Sequence, residues 1–81
     1  MKKKGKLVNN LHILRAEKRW TQDEVAKKLD VSRMTISSIE GNRYSPSLIL
    51  AFEIARLFDK EITEVFRYVT HEEDKGGGDH V

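Results

Sequence analysis

The chain has 81 residues, 38% hydrophobic and 7% aromatic, with no cysteine and a formal net charge of +2. One domain with a modest core fits that length; a disulfide framework or thiolate metal site is excluded, which fits an expected reducing, cytoplasmic setting. No apolar run approaches the ~18 residues of a membrane span, and no apolar h-region follows the first lysines, so neither a membrane partner nor a signal peptide is expected.

Residues 1–6 carry Lys2, Lys3, Lys4 and Lys6 and read as a basic, disordered arm. Such an arm follows a DNA backbone or minor groove, or does nothing beyond solubilising the chain. Leu7, Leu11 and Leu14 recur at helical spacing, which predicts a first helix from Asn9 or Asn10 to Lys18. Trp20 then precedes Thr21, placed to staple onto Val25. Thr21 with Glu24 three residues on forms a capping box, opening a second helix whose Val25, Ala26 and Leu29 share one face. Asp30 and Val31 make the turn, and Asp at a left-handed position is a modest cost. Ser32 caps a third helix that buries Ile36 and Ile39 and turns Arg33, Met34, Thr35, Ser37 and Ser38 outward.

Gly41 to Tyr44 reads as a loop, and Ser45-Pro46-Ser47 as the start of a fourth helix with proline in its first turn. Leu48, Ala51, Phe52, Ala55 and Phe58, widened by Ile54 and Leu57, make this the central core helix. Ile62 to Phe66 is a short fifth helix, and Arg67-Tyr68-Val69-Thr70 has strand composition. Residues 71–81, acidic with Gly76-Gly77-Gly78, read as a tail. The expected boundaries are therefore an arm at 1–6, a domain at 7–70 and a tail at 71–81.

The outward residues of the third helix are the informative ones. Serine and threonine are poorer helix formers than Glu, Lys or Ala on a merely solvated face. They are short hydrogen-bonding groups that permit close approach to a duplex, whose major groove, about 12 Å wide, admits one helix. Arg33 has the fork that pairs bidentately with guanine. Charge falls in the same place: residues 1–44 hold 11 Lys/Arg against 5 Asp/Glu, net +6, while residues 45–81 hold 4 against 8, net −4. A basic half suits phosphate neutralisation, and it also suits plain solubility.

Taken in order, Leu11-His12-Ile13-Leu14-Arg15, Trp20 to Ala26, Val31 to Glu40, Tyr44 to Leu48 and Ile54 to Phe58 resemble the Cro/cI (Xre-like) helix-turn-helix repressors over about Leu11 to Phe66. The resemblance implies an all-α, five-helix Cro/cI repressor-like domain, with short N- and C-terminal β-strands at a dimer interface. It implies a transcription regulator, a repressor bound to an inverted repeat of double-stranded DNA as a homodimer. Gln22 is implied as a phosphate ligand bridging to the recognition helix, and Ser32 as a cap whose backbone meets phosphate. Arg33, Met34 and Ser37 hold the base-reading positions, with Thr35 and Ser38 beside them, and Asn42, Arg43 and Tyr44 face phosphates. Three positions depart from the pattern. Met34 stands where relatives often carry Gln, and it either presses on a thymine methyl or only covers apolar surface. Asp30 replaces a common Gly, and Gly41-Asn42 replaces an Asn-Gly or Arg-Gly pair.

No Ser-His-Asp or paired-carboxylate constellation lies where it would be buried, so an enzyme is not expected. His12, His71 and His80 with the acidic tail match no structural zinc spacing, and no cofactor or small-molecule ligand is expected. The rival reading is a helix-turn-helix protein–protein adaptor; an antitoxin or a restriction-system controller is a variant of the DNA-binding reading with a different physiological role. For the dimer contact, Arg67 to Thr70 with Leu7-Val8 as a second short strand is expected to make a pair that doubles its sheet across a two-fold axis, against a monomer whose last segment folds back on its own core.

Overall fold

The computed structural model describes residues 5–70 in the order β1 (Gly5–Asn9), α1 (Leu11–Lys18), α2 (Gln22–Leu29), α3 (Arg33–Glu40), α4 (Leu48–Leu57), α5 (Ile62–Val65) and β2 (Phe66–Thr70). The tail expected at residues 71–81 lies outside the described residues.

Local chemistry sets most helix starts. Thr21 Oγ1 accepts from the Glu24 amide at 3.0 Å while Glu24 Oε1 accepts from the Thr21 amide at 2.8 Å, so the capping box forms in full. Ser32 accepts from the Thr35 amide at 3.1 Å, and Ser47 caps α4 through the Leu50 amide at 3.1 Å. Pro46 consequently lies ahead of the α4 cap, outside the first turn where the sequence placed it. At the start of α1 the donor is satisfied from one residue further back, because Asn9 Oδ1 accepts from the Leu11 amide at 2.9 Å.

Four of the five helices end in one pattern. Arg19, Asp30, Asn42 and Asp59 all have φ near +60°, and none is glycine. After each, the next amide reaches back five residues: Trp20 to the Arg15 carbonyl, Val31 to Ala26, Arg43 to Ser38 and Lys60 to Ala55, at 2.9 to 3.0 Å. These left-handed closures satisfy carbonyls that the helix itself leaves open.

The core is one cluster: Leu11 and Leu14 from α1, Val25 and Ala26 from α2, Ile36 and Ile39 from α3, Ala51, Ile54 and Ala55 from α4, then Phe58, Val65 and Phe66. Trp20 packs on its edge, its ring 5.5 Å from Phe58, with the Lys28 ammonium 4.6 Å above the indole. Ala26 is buried, and its small side chain suits the close α2–α3 packing.

Two expectations need correction. The five helices and the two short terminal strands are present, but all-α is too narrow a class, since β1 and β2 form an antiparallel sheet within one chain, Gly5 opposite Thr70 and Asn9 opposite Phe66. Gly5 and Lys6, read as arm, are therefore part of a strand. Their partners, Thr70 and Val69, are 65 and 63 residues away in sequence, and the lysine-rich composition carries no sign of them. In α4, Leu48 and Phe52, expected in the core, are exposed, at 69% and 49%. The helix is centred on Ala51, Ile54, Ala55 and Phe58, and its apolar arc is wider than the core it faces.

Candidate nucleic-acid interface

An α-helix turns about 100° per residue, which places Arg33, Ser37, Met34 and Ser38 in one arc opposite Ile36 and Ile39. Exposure agrees: Ile36 and Ile39 are buried, Arg33 and Met34 are open, and Ser37 and Ser38 are half-buried. Met34 is 72% exposed, so it fills no core space. Thr35 lies at the flank, where its hydroxyl pairs with Ser32 Oγ at 2.9 Å. Ser32 stands at the N-terminus of α3, exposed, with its Oγ turned to the Thr35 amide.

A carboxylate anchors the far end of this helix. Glu40 Oε2 accepts from Arg15 Nε at 2.7 Å, and Oε1 accepts from the second arm of the guanidinium at 3.1 Å. Gln22 Nε2 donates to the same Oε1 at 3.0 Å, and Arg15 also donates to the Trp20 carbonyl at 3.0 Å. One side chain from each of α1, α2 and α3 thus meets at a single point. Burial pushes the Glu40 carboxyl upward, but the hydrogen bonds from Arg15 and Gln22 outweigh it and hold the group below its ordinary value. The bond to Glu40 in turn raises Arg15 above its usual range.

Gln22 therefore does bridge to α3, through Glu40. Its amide has two N–H donors, and the bond to Glu40 uses one. Sequence reasoning missed Arg15 and Glu40 as a pair. A signal was present, since an acidic residue in the last turn of a helix opposes the macrodipole and calls for a cationic partner.

The loop after α3 holds Asn42, Arg43 and Tyr44, all exposed. Asn42 takes the left-handed conformation that the neighbouring Gly41, at φ −84°, does not. Arg43 folds back over Gly41, its guanidinium 3.4 Å from the Ser37 carbonyl. Gln22, Ser32, the α3 arc and this loop are the residues the sequence singled out, brought together on α2, α3 and the segment that follows. Among the described residues no group of three or more His, Asp or Glu is placed to hold a metal ion, and no helix is long and apolar enough to cross a membrane.

A helix-turn-helix family model matches residues 11–65. An uncharacterized HTH-type transcriptional regulator of Methanocaldococcus jannaschii is 50% identical over 60 residues, covering 74% of this chain and 91% of that protein. The antitoxin HipB of Escherichia coli strain CFT073 is 35% identical over 57 residues, 70% of this chain and 61% of its own length. A solved chain from Bacteroides fragilis, described as a proposed DNA-binding protein, superimposes with a TM-score of 0.68 at 26% identity, over 75% of this chain and 98% of its own. With α2, the left-handed turn at Asp30 and α3 at its centre, the chain belongs to the Cro/cI-type helix-turn-helix family of DNA-binding transcription regulators.

Proposed function

We infer that the protein reads a specific duplex sequence and represses transcription by occupying an inverted-repeat operator as a homodimer. The observation that carries this reading is the outward arc of α3, one arginine and two serines around an exposed methionine, backed by fully buried isoleucines. Arg33, Met34 and Ser37 read base edges, with Thr35 and Ser38 beside them. Gln22, Ser32, Asn42, Arg43 and Tyr44 hold phosphates and fix the register without carrying sequence information. Met34 lacks the paired donor and acceptor that glutamine offers adenine, so the base pair beneath it is chosen by apolar contact with a thymine methyl.

One recognition helix covers only a few base pairs, and two held about 34 Å apart multiply affinity and specificity. The dimer contact belongs at the terminal sheet. A two-stranded sheet is marginal in water, and Tyr68 on β2 is 62% exposed. Selecting binding sites from a random duplex library tests the reading: a motif of two related half-sites is expected, and recovery of unselected sequence overturns it.

A second reading is favoured by the identity to HipB: the chain neutralises a protein toxin. Co-expression with the product of an adjacent gene, scored by cell growth, separates the two.

A further inference from the structure

Asn9, at the end of β1, makes three hydrogen bonds with one side chain. Its Oδ1 accepts from the Leu11 amide at 2.9 Å, which caps α1. Its Nδ2 donates to the Ile39 carbonyl at 2.9 Å and to Asn42 Oδ1 at 2.9 Å. These last partners lie 30 and 33 residues away, one near the C-terminus of α3 and the other in the loop behind it. We propose that Asn9 is a positioning residue for DNA binding: it ties the terminal sheet to the loop of Asn42, Arg43 and Tyr44 and sets where that loop meets a phosphate. The inference rests on the DNA-binding reading given above.

The tie accounts for an oddity in the loop. Asn42 sits at φ 60° although glycine stands one position earlier, at a φ any residue adopts. Glycine at Asn42 would remove the Cβ clash of a left-handed residue. It would also remove the oxygen that Asn9 holds. Two donors of one amide, fixed on a backbone carbonyl and on a loop side chain, restrain the loop on the α3 side. The Arg43 amide bond to the Ser38 carbonyl, at 2.9 Å, restrains it from within. A loop already held in its bound shape has less conformational freedom to lose on binding. Asn9 is half-buried beneath this loop, so it acts through Asn42 and needs no phosphate contact of its own.

The test is a double-mutant cycle on the full chain. Asn9→Ser keeps a short oxygen for the Leu11 amide and removes both Nδ2 bonds without adding charge. Binding to operator and to random duplex should weaken about tenfold in both cases, the order expected for loss of one or two hydrogen bonds. In an Asn42→Gly background, which relieves the left-handed strain and keeps the fold, the same change should weaken binding less than threefold. Amide exchange provides a readout without DNA: Asn9→Ser should speed exchange at Arg43 and leave the α2 amides unchanged. Wild-type affinity in Asn9→Ser, or an equal loss in both backgrounds, overturns the proposal. Should the wild-type chain bind no duplex at all, the DNA-binding reading falls, and exchange at Arg43 alone then decides whether the tie exists.

Discussion

Replacing Glu40 by alanine removes the point at which α1, α2 and α3 meet. Three hydrogen bonds to a carboxylate are lost, two from Arg15 and one from Gln22. Bonds to a charged group are worth about 1.5–3 kcal/mol each when isolated. The two from Arg15 act as one fork, and its side chain is 22% exposed, so water replaces part of what it loses. A net cost of about 2–3 kcal/mol follows. At roughly 4–8 °C per kcal/mol for a domain of this size, the melting temperature should fall by about 10–20 °C. Arg15→Ala should cost more, because it leaves a carboxylate whose side chain is only 9% exposed with Gln22 as its remaining partner. Thermal denaturation followed by far-UV circular dichroism measures both, and the Arg15→Ala/Glu40→Ala double variant gives their coupling. A melting point within 3 °C of wild type for Glu40→Ala, or strict additivity in the double variant, would refute the reasoning.

The same carboxylate makes stability depend on pH. Its folded-state value lies below the ordinary 4.5, so the stabilisation is complete above 4.5 and is lost as pH falls through the folded-state value; urea titrations of wild type and Glu40→Gln should converge as the pH is lowered through that range, and a constant gap would contradict this. Arg33→Ala should cost about 1–3 kcal/mol and relax preference at one base pair, whereas Arg43→Ala should weaken all sequences alike and lower the salt slope by about one; site selection with each variant checks the division. Sedimentation equilibrium at micromolar concentration should give twice the chain mass, and truncation after Phe66, which removes most of β2, should give a monomer with much weaker operator binding. Ile54→Ala, at a fully buried position, should cost about 2–5 kcal/mol, and Leu48→Ala at its exposed one less than about 1 kcal/mol; equal losses in denaturant titrations would mean α4 is rotated from the position described.

What the sequence disclosed was local. Thr21 with Glu24 and Ser32 with the Thr35 amide are contacts of three residues, visible in the order of side chains. The apolar spacing of Val25, Ile36 and Ile39 placed the outward arc of α3 opposite them. Hidden features depend on residues far apart in sequence. Arg15 meets Glu40 across 25 positions, and Asn9 meets Asn42 across 33. β1 finds β2 only after five helices have folded the chain back. Leu48 and Phe52 look like core residues because α4 is apolar on most sides, and periodicity cannot rank one arc of such a helix above another.

The four helix ends closed by Arg19, Asp30, Asn42 and Asp59 bear on how freely α3 can change its sequence. A left-handed residue with a Cβ carries about 1–2 kcal/mol of local strain, less for Asn and Asp, and glycine relieves it at an offsetting cost of about 0.4–1 kcal/mol in unfolded-chain entropy. Arg19 and Asp59 lie outside the α3 arc and the loop after it, so their replacement can raise stability without altering what α3 presents. New side chains at Arg33, Met34 or Ser37 that unsettle the domain can then be compensated at a distant helix end. On the DNA-binding reading proposed above, a scaffold with such adjustable termini lets the target sequence drift while the fold is held constant.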